Sequence, residues 1–401
     1  MGRHRGSLAG SALVLTLLAG CAGSTAGGDD PSKDASGSSA PSTSSGPSGA
    51  SDSPSAPPGT TQVTLAASGD LLPHSSVLES AQQDAEGKGY DFVPMFRDVR
   101  KDISAADLAL CHMETPLSPD DTNLTRSGVL VFNSPHELAT AAAKVGYDGC
   151  DFASNHTWDR GRQGVADTRK VLTENDLGYA GPAVKDSPDR RRATYDVGDA
   201  TVAQLAYTYT LYNDGSPTTT VPPEAPSTGH NLWPKVGTEG ILSDARAAKK
   251  DGADFVVVSM HWGMEYQTEP TQQQREMART LLESDAVDLI LGTHVHVVQP
   301  CETINGKTVF YGMGNFLSNQ SPKTASSLRT ETQEGLYATV TLREKDGKVT
   351  SSKATYQPTR VNLDGHVIEK ATPKQHPKTY DRVVGTLDSL GKGACEAKPA
   401  S

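Results

Sequence analysis

Asp70, Glu114, the pair Asn155 and His156, His261, and the pair His294 and His296 share one context in this 401-residue chain. Each closes a short apolar run: VTLAASGD, LALCHME, CDFASNH, FVVVSMH and LILGTHVH. Carboxylate, carboxamide and imidazole are the oxygen and nitrogen donors that hold divalent cations, and imidazole also titrates near neutrality. Runs of this length and composition read as strands, and strands lying parallel in one sheet bring their carboxyl ends to one edge. Ligands spread over more than 220 residues would then converge on one or two metal ions.

Taken singly, the sites differ in strength. Asp70 follows Ser68-Gly69, where glycine lets the backbone turn sharply; a Gly-Asp there also suits a turn or a helix cap. Glu114 precedes Pro116, which stops its strand. Asn155 and His156 place an oxygen donor beside a titrating ring, and Asp159, one helical turn on, either orients that ring or caps a helix. His261 leads into Trp262-Gly263-Met264-Glu265-Tyr266, an aromatic and acidic run suited to a pocket wall. In extended chain His294 and His296 would face the same side, so they would bind one metal or two adjacent ones.

Helices must alternate with these strands for the sheet to run parallel. Ser134-Pro135-His136-Glu137 reads as a capping box opening an alanine-rich helix that ends at Gly146. Further helices are expected near 75–86, 94–105, 162–176, 237–250 and 270–284. Residues 193–197 and 201–206 flank Gly198-Asp199 as a hairpin, and 336–342 with 352–362 suggest late antiparallel strands. The expected architecture is layered α/β, with a mixed sheet or two packed sheets.

The amino terminus sets the compartment. Arg3 and Arg5 precede an apolar run over 13–18 that is too short to span a bilayer and stops at Ala19-Gly20-Cys21. Residues 1–20 read as an export signal, and Leu18-Ala19-Gly20-Cys21 resembles a bacterial lipobox, in which Cys21 carries the lipid. Residues 21–60 are rich in Ser, Gly, Pro, Ala and Thr and are expected to form a disordered tether. The folded domain is expected over 61–370, with an extension over 371–401. A net charge of −11 without a basic patch argues against nucleic acid as a partner. Of the remaining cysteines, Cys301 and Cys395 are the preferred bridge; Cys111 and Cys150 read equally as buried thiols.

The ordered set of Gly69-Asp70, Met113 to Leu117, Ala153 to Gly161, His261 to Tyr266, Gly292 to Gln299 and Gly314 to Phe316 resembles the CapA family of capsule and poly-γ-glutamate biosynthesis. That family's domain is similar to the calcineurin-like metallophosphoesterases, which implies a layered fold of mixed sheets flanked by helices. The resemblance implies two divalent ions, Mn, Fe or Zn. Asp70 and His296 would hold one, Asn155, His261 and His294 the other, and Glu114 would bridge them. It casts His156 as proton donor to the leaving group, with Asp159 behind it, and Trp262, Glu265, Tyr266 and Asn315 as substrate contacts. Leu72 stands where the phosphoesterases carry a histidine, which leaves His74 as the nearest imidazole in sequence. Three functions are open: a lipid-anchored hydrolase or transferase acting on an envelope polymer, an accessory that binds the polymer or its export machinery, and an extracellular phosphoesterase.

Overall fold

A computed structural model describes residues 60–185, 191–346 and 348–400. The expected lipidation at Cys21, the signal and nearly all of the tether lie outside these residues. In chain order the strands are β1 (Thr60–Leu72), β2 (Leu108–Met113), β3 (Leu117–Ser118), β4 (Ser134–Pro135), β5 (Gly149–Asp151), β6 (Gly178–Ala180), β7 (Ala193–Val197), β8 (Ala200–Thr208), β9 (Phe255–His261), β10 (Leu289–Thr293), β11 (Cys301–Ile304), β12 (Lys307–Phe310), β13 (Asn315–Ser318), β14 (Glu334–Lys345), β15 (Lys348–Asn362), β16 (Val367–Lys370) and β17 (Lys398–Pro399).

Two mixed sheets dominate. The first runs β16-β15-β14-β1-β2-β5-β6, with β13 added to the end of β1 and β17 to β15. The second runs β11-β12-β10-β9-β8-β7. The segments β1, β2, β5 and β6 pair in parallel, as do β8, β9, β10 and β12. Alternation along the strands explains the layering. Val63, Leu65 and Ala67 of β1 meet Phe255, Val257, Leu289 and Leu291 in a core between the sheets. Ala66 of β1 faces the opposite way, into a core shared with the helices Ser75–Asp84, Glu137–Val145 and Gly161–Glu174. Val256, Val258 and Met260 of β9 face a third core under the helices Trp233–Lys250 and Gln272–Glu283. The fold is therefore layered α/β, with two packed mixed sheets between helices.

Local expectations met different fates. The β7–β8 hairpin and the β14–β15 pair form where the pattern placed them. The capping box at Ser134 does not form: Ser134 and Pro135 make β4 beside β3, and the Ser134 hydroxyl bonds Thr115 instead. The helix starts at Glu137 behind His136, with no side-chain cap, and ends at Gly146 in the left-handed region (φ 105°). The stretch expected as one helix over 94–105 is a 3-10 turn, Val93–Phe96, followed by a single helical turn, Arg100–Ile103.

Residues 371–400 pack on the same domain. Val383 and Leu387 of the helix Pro377–Leu387 enter the core between the sheets, β17 pairs with β15, and Cys395 is bonded to Cys301. Cys111 and Cys150 form a second disulfide, so both readings of that pair resolve to a bridge across adjacent strands. No helix among the described residues is long and apolar enough to cross a membrane.

Candidate metal centre

Parallel strands from both sheets end on one cluster. β1 carries Asp70 at its carboxyl end, and β2 runs straight into Glu114. A short turn after β5 presents Asn155 and His156, β9 ends on His261, and β10 is followed by His294 and His296. Asp70, Glu114 and Asn155 are fully buried, and the four histidines are at most 3% exposed.

Close backbone approach places Asp70. Its N–H donates to Gly314 O at 2.9 Å, and a Cβ on Gly69 would lie 1.9 Å from that same oxygen, so only glycine fits there. Across the sheet the pairing forms one row, Asn315 on Asp70, Asp70 on His112, and His112 on Asp151. His112 was not among the sequence candidates, although it lies two residues before Glu114 and so on the same strand face.

The hydrogen bonds sort the cluster. His296 Nδ1 donates to Asp70 Oδ2 at 3.0 Å and lies 3.1 Å from Asn315 Oδ1, while its Nε2 stands 3.7 Å from Glu114 Oε1. His261 Nε2 donates to Asn155 Oδ1 at 3.1 Å and is 3.9 Å from the same Glu114 oxygen. Glu114 thus sits between an Asp70–His296 side and an Asn155–His261 side, and the His261 and His294 rings are 4.6 Å apart.

His294 and His296 do not lie in extended chain. β10 stops at Thr293, and both histidines take positive φ, 90° and 57°, with Val295 buried between them. Such strain in non-glycine residues persists only where the surroundings enforce it. Here Tyr266 N–H donates to Val295 O at 2.8 Å, which anchors the bend to the loop after β9.

Beside the cluster, His156 Nδ1 donates to Asp159 Oδ2 at 2.8 Å. Asp159 also accepts the Phe132 N–H at 2.6 Å, and the Phe132 ring stands edge-on to His156. The Asp159 carboxylate is therefore a partner to the ring, and it does not cap the helix Gly161–Glu174, whose N-cap residue is Arg160 with no side-chain cap bond; its second bond reaches across to Phe132 instead. His74 gives Nδ1–H to Leu72 O at 3.0 Å, and burial pushes its pKa down to about 4. It is absent from the groups whose ligand atoms lie within 4.8 Å of one another, which are Asp70 with His112 and Glu114, Glu265 with His294 and His296, and Asp121 with His136 and Glu137.

Of the expected substrate contacts, Glu265 is exposed and Tyr266 half-buried at the rim, its ring 6.0 Å from that of His296. Trp262 is 1% exposed, donates Nε1–H to Tyr311 O, and forms part of a cavity wall with Trp233 and Met264. Asn315 is fully buried, with Nδ2 donated to Thr332 O at 2.8 Å, and orients His296. Tyr209, just past β8, was missed by the sequence reading. Its ring lies 4.5 Å from that of His294, and it lines a cavity of about 400 Å³ with Trp233, Met264 and Gln274.

Electrostatics favour an added positive charge. Burial pushes the Glu114 carboxyl up; His296 opposes that shift and Asp70 adds to it. Burial, then the neighbouring imidazoles, hold His261 and His294 well below the usual range, which leaves both rings neutral and able to ligate. Among the described residues, five buried atoms of this cluster lack a hydrogen-bond partner: Asp70 Oδ1, both Glu114 oxygens, His112 Nε2 and His294 Nδ1. Buried carboxylate oxygens are rarely left so, and a cation among them would satisfy the set. The residues present fit a metal centre.

The chain matches the family described as bacterial capsule synthesis protein PGA_cap over residues 64–320. It belongs to that family. Among curated relatives of this PGA_cap protein, the capsule biosynthesis protein CapA of Bacillus anthracis is 30% identical over 65% of this chain and 60% of its own length. The PGA biosynthesis protein CapA of Bacillus subtilis is 27% identical over 63% of this chain and 62% of its own length. The match thus spans about three fifths of each relative. Among solved structures, a calcineurin-like phosphoesterase of Bacillus subtilis is 13% identical with a TM-score of 0.41, covering 82% of this chain and 98% of that one.

Proposed function

We propose that this PGA_cap protein is a lipid-anchored, extracytoplasmic, metal-dependent hydrolase or transferase that acts on an envelope polymer of the γ-linked polyglutamate kind. The buried, unpartnered atoms around Glu114 carry this reading, because both Glu114 oxygens, one Asp70 oxygen and a ring nitrogen each of His112 and His294 left without partners make a poor apolar core and a good cation site. The relatives named for capsule and PGA biosynthesis support the polymer, and the lipobox-like sequence at Cys21 supports the anchor.

Two divalent ions, Mn, Fe or Zn, would be held by Asp70 and His296 on one side and by Asn155, His261 and His294 on the other, with Glu114 shared. Bound there, they supply Lewis-acid polarisation of a carbonyl or phosphoryl oxygen. His156 donates an Nδ1–H hydrogen bond to Asp159, so Nε2 is the ring atom left to face a leaving group; carrying its own proton, as imidazolium, the ring would pass that proton from Nε2 and be left neutral with Nδ1–H still on Asp159. Tyr266 and Glu265 border the entrance, and the cavity beside Tyr209 accepts the flanking part of the substrate. The partners in this reading are the membrane, through the lipid on Cys21, and the polymer or its export machinery.

Metal analysis of purified protein after loading with Mn²⁺, Fe²⁺ or Zn²⁺ tests the centre. Less than one equivalent bound, with no change in His261→Ala or His294→Ala, would sink it. Turnover of γ-glutamyl oligomers and of phosphoesters is then compared. Cleavage of phosphoesters alone assigns an extracellular phosphoesterase. Turnover of neither, with surface polymer lost on deletion and restored by a His294→Ala protein, assigns a non-catalytic accessory.

A further inference from the structure

We infer that His112 is a ligand of the cation beside Asp70, and that Asp151 is the carboxylate that positions it. The inference rests on the two-cation reading above and assigns a donor which that reading lacks. Two residues past Asp70, where the family resemblance leads one to expect an imidazole, the chain has Leu72, buried and paired in register with Ser318. The imidazole next in sequence, His74, is turned to Leu72 O.

The neighbouring strand supplies the missing ring. Asp70 and His112 are register partners across the parallel strands β1 and β2, so their side chains leave the same sheet face at adjacent positions. Ligand atoms of Asp70, His112 and Glu114 all lie within 4.8 Å of one another. His112 is 1% exposed. Its Nδ1 donates to Asp151 Oδ1 at 2.7 Å, which leaves Nε2 as the only other polar atom of the ring. Nε2 has no partner among the described residues.

A purely structural histidine would bury that second nitrogen against a hydroxyl or carbonyl, and His112 Nε2 is buried with neither. The arrangement at His112 instead matches carboxylate–imidazole–metal pairing, in which the outer carboxylate fixes tautomer and ring orientation. Asp151 is itself the register partner of His112 on β5, so three adjacent strands supply Asp70, His112 and Asp151 in one row. One step back along the strands, Cys111 and Cys150 are joined by a disulfide, which holds β2 and β5 in that register. Alternation sends those cysteines to the opposite face, among apolar side chains including Met113 and Phe152.

The test uses the purified full-length chain loaded with Mn²⁺, read by metal content and by electron paramagnetic resonance. Wild type is expected to hold two equivalents with an exchange-coupled signal. His112→Ala is expected to hold one, with the coupled signal replaced by that of an isolated ion. Asp151→Asn is expected to reach two equivalents only at higher Mn²⁺, with the weaker dissociation constant raised about 10–100-fold. Should His112→Ala not fold, as judged by its melt in chelator, the double variant His112→Leu with Asp151→Leu removes both hydrogen-bonding partners at less cost and is expected to hold one equivalent. Wild type with two equivalents, and a His112 variant with two and an unchanged coupled signal, overturns this assignment alone. Wild type with less than one equivalent overturns the two-cation reading and this assignment with it.

Discussion

His156 and the histidines beside it share a residue type but differ in what fixes their protons. Asp159 fixes the proton on Nδ1 of His156, whereas His261 and His294 are held neutral by burial. Asp159→Asn should therefore lower turnover by roughly 10²–10⁴-fold, the usual worth of a positioned proton donor, while metal content stays unchanged. Parallel metal analysis and kinetics check this, and a matching loss of metal would contradict it. His261→Ala should instead cost bound metal, read directly as equivalents per chain. Sequence alone carried most of this residue-level picture because a strand-terminal carboxylate, carboxamide or imidazole is visible without coordinates. His112 and Tyr209 escaped for physical reasons. His112 sits inside an apolar run, where only the pairing register shows that it borders Asp70, and Tyr209 follows a strand that ends on no ligand of its own.

Short elements with strict backbone demands hold these side chains. Gly69→Ala would push a Cβ to 1.9 Å from Gly314 O and force β1 away from β13, so Asp70 would shift with it. The expected cost is about 1–3 kcal/mol, as for other overpacked sites, together with weakened metal binding; a thermal melt beside a metal titration reads both. The helix Gln272–Glu283 offers a contrast. Its Thr271–Gln274 capping box is fully formed, so Thr271→Ala should cost about 1 kcal/mol of stability with metal content intact. Helix-forming stretches were legible by period, yet the sequence signature of a capping box at Ser134 misled, because tertiary pairing of β4 with β3 took the same residues. The bend at His294 and His296 was equally hidden: alternation argues for a strand, and only contacts from the loop after β9 force positive φ.

At the scale of the whole molecule, two kinds of tie should add to stability. The Cys301–Cys395 disulfide spans 94 positions of sequence and fastens the last helix and strand to the second sheet. Replacing both cysteines with serine should cost about 2–5 kcal/mol, seen as a lower melting temperature and early proteolysis near the carboxyl terminus. Metal loading should act in the other direction, adding about 4 kcal/mol at a thousandfold excess over the dissociation constant and vanishing with chelator. Layered α/β architecture was readable from alternation of patterns along the chain. The partition into two sheets was not, since it depends on which parallel strands stack rather than on any local period. One consequence of β1 concerns direction. Its amino end, Thr60, and Asp70 lie at opposite ends of the strand, ten residue steps or roughly 33 Å apart. The chain thus enters the domain at its heel, at the far end of β1 from the carboxylate that opens the candidate metal centre.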